Sequence, residues 1–152
     1  MEIALCYTYY VLRSTFWLYF TCKLTYNVPR YTYNKSKMAH IKSFPNNPYQ
    51  ENTYILYDET GECAIIDPGM YTATEQNVVV NFIKNNNLKP VLLLNTHCHI
   101  DHVLGNKLVF DLYGLRPQFN EGEKETLEAV VAYAPAMGFT YEVSPLPDVY
   151  LP

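Results

Sequence analysis

His97, His99, Asp101 and His102 are the residues of this sequence whose types and spacing best suit chemistry. The chain has four histidines, and three fall in this one segment. In extended backbone, side chains two apart point the same way, so His97 and His99 can grip one ion together. A helix starting near Asp101 would project Asp101 and His102 from a turn beside that pair. Imidazole nitrogen and carboxylate oxygen are good zinc ligands, and catalytic zinc keeps one position open for water. Two neighbouring metals can share a hydroxide that attacks a carbonyl or phosphoryl centre. Four ligands from one loop, divided two and two, fit a binuclear site. Burying the four without partners would be costly, which sets the metal reading above that of ordinary surface or core histidines. Cys98, by the same alternation, points away from His97 and His99 and reads as a packed thiol.

The elements that must position this loop can be read around it. Ala39–Phe44 opens the domain as a strand. Asn52–Tyr57 is rich in β-branched and aromatic residues and reads as a second, with a turn at Asp58–Gly61 and a third strand at Glu62–Ile66. Asp67-Pro68-Gly69 ends it sharply. Val78, Val79, Phe82 and Ile83 recur at helical spacing, and Thr72 with Glu75 forms a plausible capping box. Val91–Leu94 is a continuous apolar run suited to a strand covered on both faces, and the histidine loop follows it directly. Leu104, Leu108 and Leu112 mark one face of a second helix closed by Gly114; Arg116–Phe119 reads as a short strand. Leu127, Val130, Val131 and Ala134 give a third helix ending near Pro135. Hairpin strands, then helix, strand and helix, describe an α/β fold: a mixed sheet with helices packed on at least one face. Such sheets place their sites at the carboxyl ends of strands, where the histidines lie.

Thr96-His97-Cys98-His99-Ile100-Asp101-His102 resembles the motif T-H-x-H-x-D-H of the metallo-β-lactamase superfamily at every specified position. Val103-Leu104-Gly105-Asn106 looks most like the small glyoxalase II-like (hydroxyacylglutathione hydrolase-like) members. Asn52-Thr53-Tyr54 and Ile66-Asp67-Pro68-Gly69 resemble the strands that precede the motif there. The resemblance covers about residues 40 to 150 and implies the first half of an αββα fold. It implies that His97 and His99 bind a first metal and Asp101 and His102 a second, with Asp101 also positioning the attacking water. Two zinc ions are then expected, with iron or manganese as alternatives. Asp67 would support the loop from behind, although Asp-Pro-Gly also suits a plain turn.

The family completes its site with downstream histidines and a bridging aspartate, and this sequence has no histidine after His102. Asp111 falls within a helix and Asp148 in a proline-rich tail, neither in a ligand context. The sequence is therefore expected to be an incomplete domain, with apolar surface left exposed and open to self-association. The implied function is metal-dependent hydrolysis of a small thioester of the acyl-glutathione kind by metal-bound hydroxide. Two alternatives stand: a non-catalytic fragment of such a hydrolase, and a persulfide dioxygenase-like iron protein. Lactam hydrolysis is disfavoured by His102 and Gly105-Asn106.

Composition bounds the remainder. One domain fits in 152 residues. Residues 1–37 carry five basic residues against Glu2, a net of +4, and seven of the fifteen tyrosines; residues 38–152 carry six against fourteen, a net of −8. This switch suggests that residues 1–37 are an extension with no part in the fold, and that 38–152 are the domain. A membrane anchor in the extension is the weaker alternative, because Arg13-Ser14-Thr15 breaks its apolar run. The acidic domain argues against nucleic acid. Cys6, Cys22, Cys63 and Cys98 form no C-x-x-C pair and suit reduced thiols in the cytoplasm, though an even count leaves a disulfide open.

Overall fold

A computed structural model describes residues 38–152; the expectations for residues 1–37 lie outside the described residues. Five strands form one sheet in the order β1-β2-β3-β4-β5. They are β1 (His40–Asn46), β2 (Glu51–Tyr57), β3 (Glu62–Ile66), β4 (Lys89–Leu94) and β5 (Pro117–Gln118). β1, β2 and β3 run antiparallel, while β4 is parallel to β3 and β5 parallel to β4. The sheet is therefore mixed, as the alternation of hairpins and helices predicts. Antiparallel neighbours need only tight turns, whereas the parallel β3–β4 step needs a crossover, and helix α1 (Ala73–Asn85) supplies it.

The predicted capping box of α1 is present. The Thr72 hydroxyl accepts from the Glu75 N–H at 3.3 Å, and the Glu75 carboxylate accepts from the Thr72 N–H at 2.7 Å. Glu75 also accepts from the backbone N–H of Asn47 at 2.7 Å, which ties the β1–β2 turn to the start of the helix. Val79 and Ile83 face the sheet and join Phe44, Ile55, Cys63, Ile65, Met70, Leu93 and Val109 in one core. Alternation along β2 and β3 puts Ile55, Cys63 and Ile65 on this face.

The opposite face departs from the reading of β4 as doubly covered. Leu93 is fully buried, but Leu92 and Leu94 on the other face are half-buried; Val91, passed over where the β3–β4 register shifts, is 42% exposed. Tyr54 of β2 is likewise exposed on that side, and Leu56, Ala64 and Ile66 are half-buried. An unbroken apolar run tells how hydrophobic a strand is; the layers around it decide how much of it is covered.

After β4 the chain forms α2 (Ile100–Val103) and α3 (Asn106–Tyr113), two helices where the leucine spacing predicts one. The break is at Gly105, whose N–H donates to the Pro68 carbonyl at 2.6 Å. A Cβ there would sit 2.7 Å from Met70 Sδ and 2.8 Å from Pro68 O, so only glycine allows the approach. Val109, not Leu112, is buried on α3, and Leu112 is 50% exposed. Gly114 closes α3 in the left-handed conformation, φ 70°. Helix α4 (Lys124–Tyr133) packs Leu127 and Val130 with Cys98, Ile100, Val103, Leu104 and Phe119 in a second cluster beneath the histidine loop. No helix among the described residues is long and apolar enough to cross a membrane.

Candidate metal centre

The sheet's topology brings the site together. β3 and β4 run parallel, so Asp67 and the histidine loop leave their carboxyl ends side by side. β2 runs the other way, so its first residue, Glu51, lies at that same end. Glu51, Thr53 and Ile55 are the buried side of β2, which turns the Glu51 carboxylate inward.

Asp67 holds the left-handed backbone conformation, φ 48°, where non-glycine residues are uncommon. Its carboxylate is buried and clasps the loop: Oδ1 accepts from the Thr96 N–H at 2.7 Å and Oδ2 from the Thr96 hydroxyl at 2.6 Å. The Thr96 hydroxyl has one proton, and Asp67 takes it. Thr96 Oγ1, 3.1 Å from His97 Nδ1, must then accept from that nitrogen, which leaves His97 Nε2 with a free lone pair. Burial first, and then the neighbouring His102 and His99, push the His97 pKa below the ordinary histidine value and favour the neutral ring.

The His97 and His99 rings meet edge-on with centroids 4.7 Å apart, and His97 and His102 are 4.0 Å apart. Asp101 joins them: its Oδ2 lies 3.5 Å from His102 Nε2. All four motif residues therefore sit in one place, at the start of α2, for which His99 is the N-cap. Cys98 is fully buried and makes none of these contacts; its N–H donates to Glu123 at 2.8 Å. Asp111 pairs with Lys107 on the exposed side of α3, and Asp148 pairs with Arg116.

His102 also faces inward. Its Nδ1 lies 3.3 Å from Asp67 Oδ2 and 3.8 Å from Glu51 Oε1. Glu51, Asp67 and His102 each offer a ligand-type atom, and these atoms lie within 4.8 Å of one another. Glu51 has no counterpart in the sequence reading. A lone Glu beside Asn52 looks like part of a turn, and its place in the site depends on the pairing of β2 with β3. Burial, then the charges of Asp67 and Asp101, push its pKa up to about 8. Glu51 Oε2 and His102 Nδ1 are buried without hydrogen-bond partners. Three imidazoles, an outward carboxylate and orphaned buried donors and acceptors behind them suit a divalent cation, whose charge would relieve the crowded carboxylates.

The loop is braced from behind. Asn47 Nδ2 donates to the Asp101 and Gly69 carbonyls, both at 3.0 Å. Asn95 Nδ2 donates to the His102 carbonyl at 3.1 Å, and buried Asn106 donates to Asn95 Oδ1 and to Ser144 Oγ.

The chain matches the family described as "Metallo-beta-lactamase superfamily" over residues 46–143, a span holding Glu51, Asp67 and the whole histidine loop. The chain belongs to that superfamily. Within the metallo-beta-lactamase superfamily, it is 39% identical over 59 residues to the hydroxyacylglutathione hydrolase of Buchnera aphidicola subsp. Baizongia pistaciae, covering 39% of this chain and 22% of that one. Its fold superposes on the BLEG-1 B3 metallo-beta-lactamase with TM-score 0.64 and 26% identity, covering 74% of this chain and 53% of that one. TTHA1623, solved in a di-iron-bound form, is similar at TM-score 0.63 and 25% identity, covering 73% and 54%. The chain thus spans about a fifth of the curated hydrolase and about half of each solved relative.

Proposed function

We propose that this chain carries the metal-holding loop of a metal-dependent hydrolase acting on small thioesters of the acyl-glutathione kind. The observation that carries the reading is the convergence of His97, His99, Asp101 and His102 at the carboxyl end of β4, with His97 and His102 rings 4.0 Å apart. The likeness to a hydroxyacylglutathione hydrolase supports the substrate class. His97 and His99 would hold one cation, Asp101 and His102 a second, with zinc preferred and manganese as an alternative. The cations, when bound, would acidify water and polarise the thioester carbonyl. Asp101 would orient the attacking water and accept its proton. Thr96 and Asp67 would keep the His97 lone pair aimed outward throughout. Two buried free thiols, Cys63 and Cys98, suit a reducing compartment such as the cytoplasm.

The test is release of free thiol from an S-acyl glutathione by the zinc-loaded chain. The expected result is turnover that His97→Ala and Asp101→Ala each reduce by about a hundredfold or more. Release no faster than in Asp101→Ala would overturn the hydrolase and leave the second reading, a non-catalytic metal-binding chain. Iron in place of zinc is supported by the di-iron form of TTHA1623, and metal analysis of the purified chain distinguishes the two.

A further inference from the structure

We propose that Glu51 is a positioning residue for this centre, holding the His102 ring with Nδ1 turned into the fold and Nε2 turned out towards Asp101. The inference rests on the reading of His102 as a metal ligand. An imidazole that gives Nε2 to a cation must carry its proton on Nδ1, and a buried N–H needs an acceptor. Two carboxylates face His102 Nδ1, Asp67 at 3.3 Å and Glu51 at 3.8 Å. Asp67 already accepts from the Thr96 N–H and hydroxyl, and its Oδ2, although 3.3 Å away, does not meet His102 Nδ1 in hydrogen-bonding geometry. Glu51 has acceptor capacity to spare: its Oε2 is buried with no partner, as is His102 Nδ1 itself. A shift of about 1 Å brings Glu51 and Nδ1 into hydrogen-bond range.

The surroundings keep Glu51 aimed there. The residue is 7% exposed at the start of β2. A Cβ on Gly69 would collide with both Glu51 Oε2 and the Asp101 carbonyl, so the chain passes this carboxylate with no room to spare. Asn47 bridges the Gly69 and Asp101 carbonyls on the same side. Glu51 therefore connects β2 to a ring whose Nδ1 faces inward to Glu51 and Asp67 and whose Nε2 faces Asp101. A glutamate here serves a different purpose from a ligand: it fixes which nitrogen is offered.

The experiment uses the full chain with 15N-labelled histidine and zinc ion alone as probe. Long-range proton–nitrogen spectra report the His102 tautomer, and titration reports each zinc equivalent. The wild type is expected to show a slowly exchanging proton on His102 Nδ1. Glu51→Gln, which retains an acceptor oxygen, should keep that signature and bind zinc within about threefold of wild type, whereas Glu51→Leu should lose it and weaken one zinc equivalent about tenfold or more while sparing the other. Glu51→Leu with wild-type spectra and affinity would overturn the proposal. So would loss of a zinc equivalent in Glu51→Gln, since Glu51 would then be a ligand. If Glu51→Leu does not fold, the wild-type spectrum decides: a proton on Nε2 overturns the assignment. A wild-type chain that binds no zinc fails earlier, at the metal reading, and takes this inference with it.

Discussion

Asp67 takes both protons that Thr96 has to give, the backbone N–H on Oδ1 at 2.7 Å and the hydroxyl on Oδ2 at 2.6 Å. One side chain at the end of β3 thereby fixes the first residue of the histidine loop after β4 and dictates the tautomer of His97. Thr96→Val removes the hydroxyl but keeps the shape. It should weaken zinc binding by about tenfold, read by titration, with little change in the far-ultraviolet spectrum.

Asp67→Ala deletes two charge-assisted acceptors and leaves the Thr96 N–H facing a void. The expected loss of stability is about 3 kcal/mol, measured by urea unfolding of the metal-free chain. Asp67→Asn should lose less, because one acceptor oxygen remains.

Gly105→Ala tests the close approach of the α2–α3 junction to Pro68 and Met70. The Cβ would meet backbone as well as the Met70 side chain, so the chain must shift. A cost of about 1–3 kcal/mol in thermal unfolding is expected. A variant as stable as wild type would show that the junction is looser than its 2.6 Å hydrogen bond implies.

Burial raises the Cys63 thiol to about 11, and burial followed by Glu123 and Asp67 raises Cys98 to about 12. A thiol whose folded pKa lies above its unfolded value of 9.0 contributes stability that is complete below pH 9 and is lost as pH climbs towards the folded value. The chain should therefore lose about 1.4 kcal/mol per pH unit per thiol above pH 9. Both cysteines should resist alkylation at pH 8 in the folded chain and react promptly in urea. Rapid labelling of Cys98 in the folded chain would contradict its complete burial.

Val109→Ala should cost about 2 kcal/mol, and Leu112→Ala should fall within about 0.5 kcal/mol of wild type. The pair contrasts the buried face of α3 with the face that leucine spacing suggests. Where the sequence could be read, local rules were at work: the turn at Asp58–Gly61, the capping box of Thr72 and Glu75, the apolar run into the histidines, the left-handed Gly114. Leu112 misleads because the helix is interrupted at Gly105, whose N–H leaves the helical ladder to bond Pro68, distant in sequence. Glu51 is silent for the same kind of reason. Its meaning comes from antiparallel pairing that carries the start of β2 to the end of β3, and nothing in its neighbours signals that. Leu92 and Leu94 show the limit of composition, since apolar content states a strand's preference and not which layers cover it.

The ligands and their braces are spread very differently along the chain. His97, His99, Asp101 and His102 are neighbours in sequence, whereas Asn47, Glu51 and Asp67 reach them only once three strands have paired. An unfolded chain therefore already offers a cation its imidazoles, though in no fixed geometry. Metal added to the protein will stabilise the native state by the difference between the two affinities and not by the whole of the tighter one. The strands, more than the histidines, thus set how much of the metal's binding energy becomes folding energy.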